Sequence, residues 1–227
     1  MTTARRATAL LRHVARIAMA CVTVFAGAPV SAQEAPPRIP VVAVDLHATV
    51  PRFPATPAVA DSRGLKSTDL PGAGLGGQLA LHVYPVKWRA ITLGLGGEIV
   101  VARASHTPET TGTTPQTAAT VTQTFRTLGA QLSLNFGTGN GWSYLSGGIG
   151  RSNMSIVPED REPLDSDNEV LKTINYGGGA RWFAKRHLAF SFDVRFYALN
   201  PGTGSFGFPG SPRQTFMSIG AGVSLKP

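Results

Sequence analysis

The chain has 227 residues, of which 42% are hydrophobic and only 15% charged, with 26 glycines and a single cysteine. The formal net charge is +8 at pH 7, but four of the 21 Lys and Arg residues lie in the first 16 positions. Without residues 1–32, which hold no acid, the net charge falls to +4, so the basic balance does not indicate a nucleic-acid partner. Cys21 lies in the same segment, which excludes a disulfide, a thiolate metal site or a cysteine nucleophile in the remainder.

Residues 1–32 have the pattern of a secretory signal peptide. A basic stretch ends at Arg16, an apolar run follows over 17–30, and Val30-Ser31-Ala32 forms a small-residue cleavage site. The apolar run is shorter than the roughly 20 residues that a transmembrane helix needs. We therefore expect cleavage after Ala32, a short periplasmic lead-in over 33–39 and one domain over 40–227.

Eight segments alternate between apolar and polar residues, and helical periodicity is absent. In the seventh segment Phe190, Phe192 and Val194 have one parity, whereas Asp193 and Arg195 have the other. Such alternation predicts strands with two different faces. The segments cover residues 41–53, 73–84, 90–104, 121–136, 142–156, 171–183, 188–199 and 214–226.

The connections between these segments alternate in length. The long connections are 54–72, 105–120, 157–170 and 200–213, and the short ones are 85–89, 137–141 and 184–187. Outer-membrane barrels combine an even number of strands with short periplasmic turns and long outer loops. The pattern predicts an all-β fold: an eight-stranded antiparallel up-and-down transmembrane β-barrel with both termini on the periplasmic side.

The two strand faces differ in a way that predicts which face is outside. One face is apolar and is expected to be uncharged, whereas the other is rich in glycine and has few charges. A water-exposed face would carry about 25–35% charged residues, so the second face fits a narrow lumen filled by side chains. We expect a structural network of ion pairs there, with a gated polar path as the alternative. Its charged members are Asp45, Glu98, Arg181, Asp193 and Arg195.

Aromatic residues cluster near the expected strand ends. Trp88, Trp142 and Trp182 each lie beside one short turn, so we expect all three at the periplasmic membrane interface. A second set of aromatics is expected at the opposite rim: Phe53, Phe125, Phe196 and Phe216.

Two runs resemble the last hairpins of the eight-stranded outer-membrane β-barrel family, which includes small OmpA- and OmpX-like proteins and opacity-type porins. They are Asn175-Tyr-Gly-Gly-Gly-Ala-Arg-Trp-Phe183 and Phe192-Asp-Val-Arg-Phe-Tyr197. The resemblance covers residues 40–227 and implies a Gram-negative outer membrane. Its expected partners are outer-membrane lipid, lipopolysaccharide and the barrel-assembly machinery, with no nucleic acid, and the protein is expected to be a monomer. The family usually ends in an aromatic residue, whereas this chain ends in Leu225-Lys226-Pro227.

No residue set predicts catalysis, a cofactor or a metal centre. Ser105-His106 is a conceivable fragment of a lipid-hydrolase site, but no acid-oriented Ser/His set accompanies it. Asp165, Asp167 and Glu169 could offer oxygen ligands to Ca²⁺, although a solvated acidic loop is the simpler interpretation. We therefore expect a structural or surface-interaction role without catalysis. The alternatives are a soluble lipocalin-like ligand-binding barrel, a narrow pore and a lipid-modifying outer-membrane enzyme.

Overall fold

The structure, a computed structural model, describes residues 37–108, 119–204 and 207–227. The predicted signal peptide and residues 33–36 of the lead-in lie outside the described residues. The described chain forms eight antiparallel strands, which are mostly somewhat longer than predicted. They are β1 (Val42–Arg52), β2 (Leu75–Trp88), β3 (Ile91–His106), β4 (Val121–Thr138), β5 (Gly141–Pro158), β6 (Asn168–Lys185), β7 (Leu188–Leu199) and β8 (Gln214–Leu225).

The sheet closes into a barrel. Each strand pairs with its neighbours in sequence, and β1 also pairs with β8. Val44 of β1, for example, lies opposite Leu81 of β2 on one side and opposite Leu225 of β8 on the other. Closure removes free sheet edges, so backbone groups of every strand find partners without water. The predicted strand number, order and direction are confirmed.

The two ends of the barrel differ in the length of their connections. Three short turns at residues 89–90, 139–140 and 186–187 lie at one end, the turn end, together with the start of β1 and the end of β8. The long connections lie at the other end, the loop end. The first of them contains the short helix α1 (Pro57–Asp61). None of the helices in the described part of the chain is long and apolar enough to cross a bilayer.

The two strand faces point as the alternation predicts. On β7, Phe190 and Phe192 are 64% and 42% exposed, whereas Asp193 and Arg195 are almost completely buried. The same division holds on β1, where Leu46 is exposed and Asp45 is buried. Large apolar side chains therefore cover most of the outside, whereas the charged side chains at the strand centres point into the lumen.

The outer face is not entirely uncharged, and that expectation was wrong near the loop end. On several strands the outward positions change from apolar residues to Arg or Lys near the loop end. The strands extend beyond this band of outward apolar residues. On β4 the outward row passes from Leu128 to Arg126 and then to Thr124. The outward-facing cations near the loop end are Arg52, Arg103, Arg126, Arg151 and Lys172.

The aromatic residues follow strand parity rather than distance from a turn, which corrects two expectations. Trp88 and Trp182 point outward at the turn end, but Trp142 is only 3% exposed and points into the lumen. Trp142 shares its parity with the inward-facing Tyr144. Of the four aromatic residues predicted at the loop-end rim, only Phe196 lies on the outer face. Its ring stacks on Tyr176 with ring centroids 5.4 Å apart. The other three predicted rim residues are buried inside: Phe53, Phe125 and Phe216.

Candidate functional site: the filled lumen and its loop-end cover

The lumen has three layers along the barrel axis. An aromatic layer lies at the turn end, where Tyr84 and Trp142 meet edge to face with centroids 5.9 Å apart. A second apolar layer lies at the loop end around Phe125, which contacts Phe216 and Tyr197. Between them lies a charged layer that contains all five predicted lumen residues: Asp45, Glu98, Arg181, Asp193 and Arg195.

Arg181 and Asp45 form a two-pronged ion pair in the charged layer. Nε of Arg181 donates to Oδ1 of Asp45 at 2.8 Å, and Nη2 donates to Oδ2 at 2.5 Å. Ser224 Oγ donates a further short hydrogen bond to the same carboxylate. Nδ1 of His82 lies 3.2 Å from Oδ2 but is not aligned for a hydrogen bond. The guanidinium of Arg181 also lies 4.2 Å from the ring centre of Tyr144, so its charge is matched on two sides.

Arg195 is the centre of the second cluster. Its Nη2 lies 3.0 Å from Oδ2 of Asp193, and its Nε lies 3.4 Å from Oε2 of Glu98. Nη1 donates to Asn175 at 3.2 Å, and Nη2 also donates to Ser146 at 3.0 Å. The structure therefore gives the second arginine two acidic neighbours and two neutral acceptors.

Tyrosine, amide and imidazole groups fill the space around the two clusters. Tyr144 donates to Asp193 at 2.7 Å, which joins the ring under Arg181 to the cluster of Arg195. Gln78 donates to Glu98 at 2.7 Å and also contacts His47. His47 in turn lies 2.6 Å from Ser191 Oγ. Such connected polar groups rigidify a buried core when most of their hydrogen bonds are made.

The charged layer is an arrangement for holding charge in place. Each guanidinium is already bonded to a carboxylate, and Asp45 and Asp193 are fully engaged by donors. Oε1 of Glu98 has no hydrogen-bond partner among the described residues. The contact between Ser191 and His47 continues to the amide of Gln78 rather than directly to an acid. Most charged atoms of the layer are thus bonded to a group of opposite charge or to a polar side chain.

The loop end is covered by the first long connection. Val59 and Ala60 of α1, together with Leu70, pack on Ile156 of β5. Arg63 reaches Glu169 at the start of β6, with Nη2 to Oε2 at 2.5 Å. Oε1 of Glu169 also accepts from the backbone amide of Ser211 in the last loop. Glu169 thus ties two separate loops to one strand.

The acidic loop around Asp167 is organised by arginine rather than by solvent. Arg161 donates to both carboxylate oxygens of Asp167 at 2.6 and 2.8 Å, and Asp167 is fully buried. With Asp167 and Glu169 both paired to arginines, the interpretation of a solvated loop was wrong for these two residues. No group of three or more metal-ligating side chains occurs among the described residues.

Ionisation of Asp167 depends on the same contacts. Burial tends to raise the pKa of this carboxyl, but the hydrogen bonds from Arg161 and the backbone amide of Leu164 outweigh burial and lower it. The same pairing raises the pKa of the Arg161 guanidinium. Both shifts favour the charged forms, so the pair is held as an ion pair at neutral pH.

We expect the loop closure at Asp167 to weaken in acid. The pKa of Asp167 is below its ordinary value of 3.8 in the folded loop, so the pairing contributes its full stability above that value. This contribution, about 1 kcal/mol, is lost as the pH falls through the lowered pKa. Hydrogen exchange of the Leu164 amide, which donates to Asp167 at 2.7 Å, measures the opening. Asp167→Asn should show little of this pH dependence, and an unchanged dependence in that variant would contradict the assignment.

Comparisons with known proteins identify the fold. No protein-family model and no curated protein matches the sequence. Among solved structures, the neisserial surface protein NspA aligns with a TM-score of 0.52 and 11% identity, over 82% of this chain and 97% of NspA. The chain has the fold of the eight-stranded outer-membrane β-barrels. At this identity the likeness to NspA concerns the fold alone.

Two further eight-stranded outer-membrane barrels align over similar lengths. Ail of Yersinia pestis aligns with a TM-score of 0.46 and 11% identity, covering 81% of this chain and 97% of Ail. The N-terminal barrel domain of Pseudomonas aeruginosa OprF aligns with a TM-score of 0.41 and 10% identity, covering 82% of this chain and 98% of that domain.

Ser105 and His106 are the residue pair that the sequence offers as a fragment of a lipid-hydrolase site. Ser105 and His106 end β3 at the loop end, and both are exposed. Ser105 Oγ lies 3.2 Å from Thr122 Oγ1. No described contact joins either residue to an acid. The sequence did not predict the ion pairs of Arg63 with Glu169 and of Arg161 with Asp167. A single arginine in a long loop has no sequence pattern from which its partner can be predicted.

Proposed function

We propose that this protein is an integral outer-membrane β-barrel with a structural or surface-interaction role, a closed lumen and no catalytic activity. The observation that carries the proposal is the orientation of the two strand faces. Large apolar side chains point outward on the barrel wall, while the charged side chains of the strand centres point inward. An outward apolar band favours lipid as the surroundings of the barrel. Export through a cleaved signal peptide is part of the same proposal.

The soluble alternative required the opposite arrangement. A lipocalin-like barrel would line an inner pocket with Leu79, Leu128 and Phe190 and would present the charged face to water. Here those leucine and phenylalanine side chains are on the outside, and Asp193 is almost completely buried. This arrangement supports the membrane barrel over a soluble ligand carrier.

A closed lumen is supported by the burial of its charged layer. A continuous water channel would leave the side chains that line it accessible to solvent. Asp45, Arg181 and Arg195 instead have almost no exposed surface. Eight strands enclose a space that side chains can fill, which agrees with an ion-paired plug rather than a pore.

The proposal predicts a heat-modifiable membrane protein. We expect the protein to fractionate with the outer membrane and to migrate differently in gels with and without boiling, because a closed barrel resists detergent at room temperature. Recovery as a soluble periplasmic protein would contradict the location. Steady single-channel conductance in planar bilayers would contradict the closed lumen while leaving the fold intact.

A further inference from the structure

Exposed acidic side chains occur at only one end of the described barrel. They lie in the long connections at the loop end, for example Asp61, Asp160 and Glu162. The turn end has no acidic side chain among the residues that the structure describes. Its surface carries six cations instead: Arg38, Lys87, Arg89, Lys185, Arg186 and Lys226. A surface with charges of one sign attracts partners of the opposite sign.

A groove of about 520 Å³ opens at the turn end beside three of these cations. The cations come from the β6–β7 turn and from the residue after β8: Lys185, Arg186 and Lys226. The apolar part of the lining is one ring of β6 and two prolines that precede β1: Phe183, Pro37 and Pro40. We call this site the turn-end groove. Cations beside apolar surface suit a ligand that has both acidic and apolar groups.

Lys226 is held in the wall of the turn-end groove by contacts with two turns. Its Nζ donates to the carbonyl oxygen of Gly139 at 2.5 Å and lies 3.9 Å from the ring centre of Phe183. Its backbone amide donates to the carbonyl of His187 at 3.1 Å. The amide of Gly139 donates in turn to the carbonyl of Pro37 at 2.6 Å, which ties the segment before β1 to the same wall. The groove is therefore largely formed before a ligand enters, which lowers the entropic cost of binding.

The cations of the turn-end groove have no anionic partner. Among the described residues, neither Lys185, Arg186 nor Lys226 forms an ion pair with a carboxylate. Burial, and after it the nearby charge of Arg186, lowers the pKa of the Lys226 ammonium. An ammonium has three donors, and Lys226 uses one of them on Gly139. A carboxylate bound between Arg186 and Lys226 would offset their repulsion.

The turn-end groove lies beyond the level expected for lipid headgroups. Trp182 is exposed on the outer face of β6, and exposed tryptophans of membrane barrels lie at the headgroup level. Lys185 and Arg186 follow Trp182 by three and four residues, about 10 Å further along an extended chain. The groove therefore faces the aqueous side of this interface, which favours a water-soluble ligand over a lipid.

We propose that the turn-end groove binds an acidic peptide segment of a periplasmic protein. Carboxylates of the segment would contact Lys185, Arg186 and Lys226, and an apolar side chain between them would lie against Phe183 and the prolines. A peptide that alternates acidic and apolar residues meets both requirements, whereas a glycan or a free phosphate meets only the first. This inference rests on the proposed outer-membrane barrel, because that barrel places the turn end in the periplasm.

The test is binding of a fluorescein-labelled peptide of alternating aspartate and leucine to the folded full-length barrel in phosphatidylcholine nanodiscs. Fluorescence anisotropy at fixed ionic strength measures the affinity. Two further peptides replace aspartate by asparagine, or leucine by serine. We expect the first replacement to weaken binding at least tenfold and the second severalfold, and we expect added salt to weaken binding of the original peptide.

A pair of matched variants tests the position of the site. Lys185→Gln with Arg186→Gln should weaken binding of the aspartate–leucine peptide at least tenfold. Lys87→Gln with Arg89→Gln is the control, because it removes the same charge from the turn end but both residues lie outside the groove lining. This control should bind within about twofold of the unmodified protein. Gel mobility without boiling confirms folding of each variant.

The outcomes separate this inference from the proposed function. If the unmodified chain forms no heat-modifiable barrel, the proposed function fails. The inference alone is overturned if the folded barrel binds the aspartate and asparagine peptides equally, or if both double variants bind alike. It is also overturned if a soluble disaccharide–tetrapeptide of the cell wall, or short-chain phosphatidylglycerol, displaces the labelled peptide at tenfold lower concentration than the unlabelled peptide does.

Discussion

Replacing Asp45 with alanine is expected to lower the free energy of unfolding by about 3–5 kcal/mol. The substitution leaves the guanidinium of Arg181 buried without its carboxylate, while Ser224 also loses its acceptor. Aromatic contacts with Tyr144 do not replace a full charge. Urea unfolding of the protein in phosphatidylcholine vesicles, followed by tryptophan fluorescence, measures the change.

A double variant separates the penalty of an unpaired charge from the value of the pair. Asp45→Leu together with Arg181→Met removes both charges and is expected to regain most of the lost stability, because buried ion pairs often match apolar residues of similar volume. Asp61→Ala is the control, since Asp61 is an exposed carboxyl in α1, and it should change stability by less than about 0.5 kcal/mol. A loss below about 1 kcal/mol in Asp45→Ala would show that the pair does not hold the lumen together.

Which residues lie inside the barrel could be predicted from the sequence because strand parity is strict. A side chain two residues from an inward-facing one also faces inward unless a bulge intervenes. Parity predicts that Asp193 and Arg195 face the lumen, and the structure places both there. The errors at Trp142 and Phe125 arose where closeness to a strand end was given more weight than parity.

Which residues pair inside the barrel could not be predicted. Asp45 and Arg181 lie on β1 and β6, 136 residues apart, and they meet only because the sheet closes. The stagger between strands decides which inward rows come to the same height. Alternation within each segment carries no information on that stagger. The contact between Arg63 and Glu169 depends on a loop conformation and is still further from any local pattern.

The second large expected effect on stability comes from placing a charge on the outer face of the barrel. Leu132→Arg is expected to destabilise the barrel by about 2–4 kcal/mol in vesicles, because Leu132 lies at the middle of the apolar row of β4 and a cation there meets hydrocarbon. In a soluble barrel the same exposed position would accept arginine with little change. The measurement is again urea unfolding in phosphatidylcholine vesicles, with the fraction of folded protein read from gel mobility.

The control for Leu132→Arg is the same charge at an outward position nearer the loop end. Ser155 of β5 belongs to the outward parity but lies beyond Arg151, towards the loop end, and its partners Thr124 and Asn168 are uncharged. Ser155→Arg should therefore cost about 0–1 kcal/mol, as expected of a position at or beyond the interface. Equal effects at Leu132 and Ser155 would mean that the apolar band is not in contact with lipid. A large effect confined to Leu132 indicates that the uncharged part of the outer face contacts the hydrocarbon core and that this core ends near the outward cations Arg126 and Arg151.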